Sequence, residues 1–495
     1  MKTHKDPLRE LAARRNRARR LEERWRLLCD RHLPYAPEDS IWRYSREGDP
    51  AGPVQGWKLH VSATLLSACD VLERIWPLLA GRSTPYKAPR SLTELYKLNS
   101  GLFYGYSQIG KVFTVYPRTD AEAVELATRL DELTRRIPAP AVPFDQSFGG
   151  SVYYRFGAFA RMEMEHADGR RTPAIRDRKG GLVPDVRAAA DAKPDWVTDP
   201  FLGSRPPAEG SKPRKQHAQS FCIFRALVQR GKGGVYQAAH FGVDGPQLCL
   251  LKEGRRYGEV GWDGRDGAQR TRYEERVISS LSSCGVEVPH IISSFEMDGN
   301  FYLVTEFIEG ESLHKMLARR ERRMPVPVAL RYGVQLCHIF QRLHAAGWVW
   351  RDCKPANILV TTEGRLRPID FEGACPADDP DPLFWGTPGF TPPEWQEPNL
   401  RTCVSGDLYA LGGMLYLLLT GRLPETTDPA PVARLRRGVP PEVGALVVRL
   451  LDRDPDSRPR AEDVSRVLRT ALSASSRRAR PAVERLAGAR APGQP

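Results

Sequence analysis

Residues 350–357 read Trp-Arg-Asp-Cys-Lys-Pro-Ala-Asn, and residues 370–372, a short distance further along, read Asp-Phe-Glu. Together they supply three carboxylates, a lysine and an amide. Side chains of these types can orient a hydroxyl group, accept its proton and bind a metal ion.

Both stretches resemble the catalytic loop and the metal-binding turn of the protein-kinase fold. The resemblance implies phosphoryl transfer, in which Asp352 orients the acceptor hydroxyl and takes its proton and Lys354 lies beside the transferring phosphate. It also implies that Asn357 and Asp370 are the Mg²⁺ ligands.

The upstream residues extend the resemblance. Residues 248–252, Leu-Cys-Leu-Leu-Lys, read as a buried strand that ends near Lys252. Glu274 follows in a segment with helical spacing of apolar residues. In kinases such a lysine contacts the α- and β-phosphates and pairs with such a glutamate. We predict these roles for Lys252 and Glu274, and Glu275 is the neighbouring alternative.

The downstream residues indicate the kind of acceptor. Residues 386–389 (Gly-Thr-Pro-Gly) and 392–394 (Pro-Pro-Glu) resemble the end of a kinase activation segment. Asp407 opens a long apolar helix, and Arg458 resembles the arginine that pairs with Glu394 in protein kinases. Small-molecule kinases of the same fold usually lack these features. We therefore expect the acceptor to be a peptide or a protein.

The glycine-rich loop is degenerate. Residues 228–236 read Val-Gln-Arg-Gly-Lys-Gly-Gly-Val-Tyr, with valine and arginine at two positions where kinases carry glycine. Gly231, Gly233 and Gly234 remain, and a backbone without a side chain can approach phosphates closely. We predict that these three glycines contribute to the nucleotide site. The nucleotide is ATP or GTP, which the sequence does not distinguish.

Two further departures bear on activity. Trp350 replaces a histidine that has a structural role in kinases, and Glu372 replaces the glycine of the metal-binding turn. The alternative to an active enzyme is a pseudokinase scaffold. We favour an active enzyme because four residues that carry the chemistry in kinases are all present. They are Lys252, Asp352, Asn357 and Asp370.

Composition limits the classes of protein that the chain can belong to. It has 495 residues, enough for two or three domains, with 41% hydrophobic and 27% charged residues, which is typical of globular proteins. The basic residues before position 26 are not followed by an apolar stretch, so they do not form a secretory signal. Nine cysteines without a C-x-x-C pair predict reduced thiols and a cytoplasmic protein.

The net charge of +14, with a pI near 9.4, invites a nucleic-acid interpretation. No basic-aromatic motif supports it, and enzymes that bind phosphorylated substrates also need positive sites. We therefore expect no nucleic-acid partner. There is no apolar run long enough to span a bilayer, so we expect no stable membrane insertion.

The pattern of segments predicts an α+β fold with two domains. Residues 1–201 alternate strand-like and helical runs behind a basic helix at 5–30, and residues 202–218 have the glycine, proline and polar content of a linker. Residues 219–472 form the kinase-like, bilobal region. The Ser-, Arg-, Ala- and Pro-rich residues 473–495 are expected to be a disordered tail.

The amino-terminal half contains five basic residues of interest: Lys58, His60, Lys87, Lys111 and Arg155. Lys58 and His60 alternate along a predicted strand and therefore point to the same face. From composition alone, each lysine or arginine is more often a solvated surface charge, and a single histidine is more often structural. The residues by themselves do not assign a reaction to this half.

Three segments carry a more specific resemblance. Residues 55–63 read Gln-Gly-Trp-Lys-Leu-His-Val-Ser-Ala, residues 110–117 read Gly-Lys-Val-Phe-Thr-Val-Tyr-Pro, and residues 151–159 read Ser-Val-Tyr-Tyr-Arg-Phe-Gly-Ala-Phe. They resemble the amino-terminal lyase domain of class III and class IV lanthipeptide synthetases, which is similar to bacterial phosphothreonine lyases and precedes a kinase domain. The resemblance implies phosphorylation of Ser or Thr in a leader-bearing precursor peptide, followed by loss of phosphate to give dehydroalanine or dehydrobutyrine.

The resemblance also implies roles for the five basic residues. Lys87 is the base that removes the α-proton, and Lys58 and Lys111 bind phosphate and help to keep that amine neutral. His60 is the general acid that protonates the leaving phosphate oxygen. Arg155 clamps the phosphate in bidentate fashion.

Two expectations complete the prediction. The synthetases continue into a cyclase domain that closes thioether rings, whereas only a short segment follows Leu472 here, so we expect any cyclase to be a separate partner. The alternative function is that of a signalling Ser/Thr kinase whose amino-terminal domain binds phosphopeptides and regulates it. In that case Lys87 would be dispensable.

Overall fold

The computed structural model describes residues 7–47, 52–186, 193–206, 221–242, 245–378, 385–396, 404–425 and 429–488. These residues form two compact units. One comprises Ala13–Arg272 and Ser293–Val304, and the other comprises the remaining described residues. The division therefore falls inside the kinase-like region and not at the predicted linker. Of that linker, residues 207–218 lie outside the described residues.

The amino-terminal part mixes helices with short strands. Its helices are α1 (Pro7–His32), α2 (Ala68–Arg82), α3 (Leu92–Ser100) and α4 (Asp120–Thr134). Its strands are β1 (Trp42–Tyr44), β2 (Gln55–Val61), β3 (Tyr86–Pro89), β4 (Phe113–Val115), β5 (Gln146–Gly149), β6 (Val152–Ala158), β7 (Glu163–Glu165), β8 (Arg171–Arg176) and β9 (Leu182–Pro184). The last three strands pair as a small separate sheet.

Six of these strands form an antiparallel sheet in the order β1-β3-β4-β2-β6-β5. Strand β2 alternates as its sequence predicts: Trp57, Leu59 and Val61 are buried in the hydrophobic core, and Lys58 and His60 face the other way. Helix α1 belongs to the same core, because Trp25 is fully buried and its indole N–H donates to Pro89 O at 3.2 Å.

The kinase-like part begins with strands and ends with helices. Its strands are β10 (Phe221–Arg230), β11 (Gly233–Gly242), β12 (Gly245–Gly254), β13 (Ile291–Met297), β14 (Asn300–Glu306), β15 (Glu311–Ser312), β16 (Trp348–Val349), β17 (Ile358–Val360), β18 (Leu366–Pro368) and β19 (Cys375–Pro376). Its helices are α5 (Gly267–Ser283), α6 (Leu313–Ala318), α7 (Val326–Ala345), α8 (Val404–Thr420), α9 (Val432–Leu435), α10 (Pro441–Leu450) and α11 (Ala461–Gly488).

The first strands of this part form a five-stranded sheet in the order β10-β11-β12-β14-β13. The later helices pack around α8, which is buried along most of its length because it is apolar on all sides. A strand-rich lobe followed by a helical lobe, behind a mixed amino-terminal domain, confirms the predicted α+β fold class.

The structure differs from two expectations. The predicted disordered tail begins at 473, yet α11 continues to Gly488, because alanine and arginine are good helix formers. Residues 489–495 lie outside the described part. The basic helix expected at 5–30 continues to His32. Within the described residues, no helix is long and apolar enough to cross a membrane.

Candidate active sites

The register of the amino-terminal sheet places several predicted residues on one face. Lys87 pairs with Thr114, Thr114 pairs with His60, and in the neighbouring row Lys58 pairs with Arg155. Directly paired residues of antiparallel strands point to the same side. A row of polar side chains therefore crosses the sheet opposite the hydrophobic core.

Lys58 and Lys87 line one open cavity of about 700 Å³. The Lys87 ammonium lies 4.1 Å from the centre of the Trp42 ring, and the Lys58 ammonium lies 5.9 Å from that of Tyr116. Phe159 contributes another aromatic wall, packed edge-on against Tyr116. The cavity thus presents two amines beside aromatic rings, and positive groups of this kind suit a phosphorylated ligand.

His60 belongs to a buried cluster beside this row. Its Nδ1 lies 2.5 Å from Asp145 Oδ2, and the Lys111 ammonium lies 2.8 Å from Asp145 Oδ1. All three side chains are almost inaccessible to water. The carboxylate therefore holds a histidine and a lysine in fixed positions relative to each other.

Burial and the contacts within the cluster together set the protonation states of His60 and Asp145. It lowers the pKa of His60 to about 4, against the opposing effect of the Asp145 carboxylate. Burial by itself raises the pKa of Asp145, but the hydrogen bond from His60 and the charge of Lys111 outweigh it and lower the pKa to about 2. At neutral pH the aspartate is charged and the imidazole is neutral. Its Nδ1–H then donates to Asp145, which leaves Nε2 as the reactive ring nitrogen.

Arg155 pairs with Lys58 across the sheet, and its guanidinium forms an ion pair with Asp185. Arg155 lines a second cavity of about 310 Å³, whereas Asp185 lines the Lys58–Lys87 cavity. The role of Arg155 as a phosphate clamp stays a prediction.

The kinase-like catalytic loop is held by hydrogen bonds among the predicted residues. The Lys354 ammonium donates to both oxygens of Asp352, at 2.8 and 3.0 Å, and to Thr387 Oγ1 at 3.2 Å. The Asn357 amide donates to the main-chain oxygen and the carboxylate of Asp352, at 2.9 and 3.0 Å. Burial raises the pKa of Asp352, and the Lys354 charge opposes this rise. Thr387 thus contacts both Lys354 and Asp352, although the sequence predicted no chemical role for it.

Trp350 ties the catalytic loop to the metal-binding turn. Its indole N–H donates to Asp370 O at 2.6 Å, and its ring stacks on the fully buried ring of Phe371 at 5.6 Å. The main-chain N–H of Phe371 donates to Glu274 Oε1 at 3.3 Å. The tryptophan thus positions the turn, which accounts for a bulky aromatic residue in place of histidine.

Two ion-pair networks frame the loop. Asp407 accepts the main-chain N–H groups of Trp350 and Arg351, both at 2.8 Å, and lies 2.9 Å from His344 Nε2. The predicted pair of Glu394 and Arg458 is confirmed, with two hydrogen bonds of 2.6 and 2.8 Å. The contacts of Asp407 and the Glu394–Arg458 pair fix the main chain around Asp352, which is the expected base.

The predicted metal ligands suit Mg²⁺ chemically. Because Asn357 Nδ2 donates to Asp352, its Oδ1 remains an acceptor, and Asp370 adds a carboxylate. Mg²⁺ prefers such oxygen ligands, together with nucleotide phosphates. These residues therefore fit a Mg²⁺–nucleotide complex.

The residues predicted to bind the nucleotide lie on or next to strands β11 and β12 and on helix α5. Lys252 is on β12, opposite Val235 of β11, and Gly233 begins β11 with a φ of 155°, a conformation that favours glycine. Gly234 follows it on β11, and Glu274 lies on α5. Lys252 and Glu274 fall in different compact units, so their pairing stays a prediction.

Comparison with known families assigns both parts of the chain. Residues 30–213 match the model of the RamC amino-terminal domain, and residues 259–467 match the protein kinase domain. The chain combines a RamC amino-terminal domain with a protein kinase domain. The predicted domain combination is confirmed. The kinase match begins after the glycine-rich loop and Lys252, the region where the sequence departs most from the kinase pattern.

Individual relatives agree with this assignment. A probable SapB synthase of Streptomyces coelicolor is 32% identical over 401 residues, which cover 78% of this chain and 42% of that protein. The serine/threonine-protein kinases PksC and PkaB of the same organism are 30% and 33% identical over 40% and 50% of this chain, and the matches cover 40% and 62% of those kinases. The chain thus spans about two fifths of the SapB synthase.

The RamC amino-terminal domain contains functional candidates that sequence reasoning missed. Asp145 is the clearest, since it joins His60 to Lys111. Tyr116 and Arg118 line the cavity beside Lys58 and Lys87. Tyr116 lies within a segment that carried the family resemblance and Arg118 directly follows that segment, whereas Asp145 has no motif around it. The structure thus brings Lys58 and Lys87 into one cavity, places His60 and Lys111 in the adjoining cluster, and pairs Arg155 with Asp185.

Proposed function

We propose that the chain is a bifunctional peptide dehydratase, in which the kinase domain phosphorylates Ser or Thr of a leader-bearing precursor peptide and the RamC-type domain eliminates the phosphate. The observation that carries the proposal is the cavity shared by Lys58 and Lys87, with His60 in the adjoining row, on the same chain as a protein kinase domain. Similarity to a SapB synthase supports a role in lanthipeptide-type biosynthesis.

In the first half-reaction, the residues of the catalytic loop act on the peptide hydroxyl. A bound Mg²⁺–ATP or Mg²⁺–GTP complex supplies the phosphoryl group and offsets its charge. Asp352 orients the hydroxyl and accepts its proton, for which burial and a raised pKa suit it. Lys354 and Thr387 hold that carboxylate in place.

In the second half-reaction, Lys87 removes the α-proton of the phosphorylated residue. The electron pair of that C–H bond forms the double bond, the bond from the β-carbon to oxygen breaks, and phosphate leaves. His60 donates a proton to the leaving oxygen from Nε2, held in orientation by Asp145. In the unliganded cluster the imidazole is neutral, and the negative charge of an arriving phosphate favours its protonated form.

The proposal places the enzyme in the cytoplasm and assigns no ring-closing step to its two domains. All eight cysteines in the described part of the chain are free thiols, as a reducing compartment favours. Neither proposed half-reaction adds a thiol to a dehydroamino acid. Cysteines of the dehydrated peptide should therefore remain open to iodoacetamide until a cyclase is added.

Intact-mass measurement of a treated precursor peptide tests the proposal. Loss of one water per modified residue is expected from the complete reaction. A gain of phosphate without later loss would instead indicate a Ser/Thr kinase with a phosphopeptide-binding domain. An unchanged mass with every nucleotide tried would indicate a scaffold. Either of these last two results overturns the proposal.

A further inference from the structure

The tip of the glycine-rich loop contacts the RamC-type domain. The main-chain N–H of Gly231 donates to Ser100 O, at the end of α3, over 2.9 Å. A side-chain carbon on Gly231 would lie 1.7 Å from Asn99 O, so no larger residue fits there. The glycine at this position is thus required by a contact with the RamC-type domain, and its N–H is already engaged.

Asn99 connects this contact with the proposed elimination site. Its side chain is buried, and its Nδ2 donates to Ala63 O at 2.9 Å, just beyond the strand that carries His60. Its Oδ1 accepts the N–H of Gly110, the residue before Lys111, at 3.0 Å. One amide therefore holds both chain segments that position the buried cluster.

A second path runs through Tyr106. Arg255 donates to Arg230 O at 3.1 Å, at the end of the strand that leads into the glycine-rich loop. Its guanidinium lies 5.1 Å from the centre of the Tyr106 ring. That ring packs edge-on against Phe144 at 5.6 Å, and Phe144 immediately precedes Asp145. Two independent contact paths thus lead from the loop to the same cluster.

We infer that Asn99 and Tyr106 are positioning residues which couple the glycine-rich loop of the kinase domain to the His60–Asp145–Lys111 cluster. The part of the inference that concerns elimination rests on the proposed function. Packed side chains and buried hydrogen bonds transmit coupling of this kind. Here the glycine-rich loop and the cluster are both held by contacts of Asn99 and Tyr106. A change at either end then alters the affinity or the rate at the other.

Nucleotide binding by full-length variants tests the first direction. Tyr106→Leu removes the ring under Arg255 and should weaken binding of the fluorescent nucleotide mant-ATP with Mg²⁺ by about two- to thirtyfold. Tyr106→Phe keeps the ring and should restore the wild-type Kd. Tyr104→Leu is the matched control, because Tyr104 lies half-buried in the same loop but bonds to Glu94. Melting temperatures verify that each variant is folded.

Elimination without nucleotide tests the reverse direction. Gly231→Ala forces the loop away from Asn99, and it should slow phosphate release from a synthetic phosphoserine precursor peptide at least twofold. Gly81→Ala is the matched control, because a side-chain carbon added at this helical glycine meets no atom within 4 Å, and it should leave that rate unchanged. Wild-type affinity for mant-ATP in folded Tyr106→Leu would overturn the coupling, whatever the elimination rates. A wild-type chain that eliminates no phosphate would defeat the proposed function, and the mant-ATP measurement would then decide the coupling alone.

Discussion

Asp145→Asn removes the charge that joins His60 to Lys111 while it preserves the size of the side chain. An asparagine offers one acceptor oxygen, so it can serve the lysine or the imidazole but not both. If its Nδ2 faces the imidazole, Nδ1 of His60 must accept that hydrogen bond, so the ring can no longer carry both protons as the general acid requires. Elimination should therefore slow by about 10²–10⁴, the usual effect of disabling a positioned acid.

The same substitution leaves the Lys111 ammonium buried without its carboxylate, since both side chains are nearly inaccessible. Loss of one partner from a buried ion pair typically costs about 3–5 kcal/mol of unfolding free energy. Urea unfolding measures this change, and phosphate release from a synthetic phosphopeptide measures the rate. Phosphorylation should continue, with no more than the about two- to thirtyfold change that coupling to the glycine-rich loop transmits.

Asp131→Asn is the matched control, because Asp131 is a buried aspartate of the same domain that pairs with Arg135 at 2.9 Å, away from His60. It should lower stability and spare elimination. If folded Asp145→Asn eliminates phosphate within about twofold of the wild-type rate, then Asp145 does not orient the acid and the argument from the cluster fails.

Asp352→Asn should abolish phosphorylation and spare elimination from a phosphopeptide, and incorporation of labelled phosphate at the normal rate would exclude Asp352 as the base. In Lys87→Ala, elimination should be slower by a factor of about 10²–10⁴, so phosphopeptide should accumulate and be visible by mass spectrometry. Near-normal dehydration would indicate that another residue is the base, with Lys111 as the next candidate. His60 has a pKa of about 4 in the folded protein and 6.5 in its ordinary state, so the unfolded chain binds more protons between these values. The free energy of unfolding should therefore fall as pH falls from about 6.5 to about 4, and urea titrations of His60→Gln should show a smaller fall.

The arrangement of Lys58 and His60 was predictable because strand geometry fixes it. Alternation along β2 placed the lysine and the histidine on the face opposite to Trp57 and Leu59, and the structure has them there. Lys87 comes from another strand, and only the pairing of three strands brings it into the same row. The family resemblance implied a role for Lys87, and neither the resemblance nor the local sequence predicted this strand pairing.

Asp145 was missed for a physical reason. It lies in a loop outside any motif, and a single aspartate is most often a surface residue. Its burial depends on the chain turning at Phe144, which has the unusual φ of 65°. The ion pair of Arg155 with Asp185 could not be predicted from strand register either. The register gives the pairing of Arg155 with Lys58 but not the position of Asp185.

The replacement of histidine by Trp350 has a consequence for inhibitors of the kinase domain. The indole stacks on Phe371 and holds the preceding carbonyl, and Phe371 is completely buried. Removing a buried phenylalanine from its pocket exposes apolar area worth about 1.5–3 kcal/mol, in addition to the lost hydrogen bond. Compounds that require this ring to swing outward should consequently bind this enzyme poorly, whereas compounds that occupy the nucleotide site without moving the turn should not suffer that penalty.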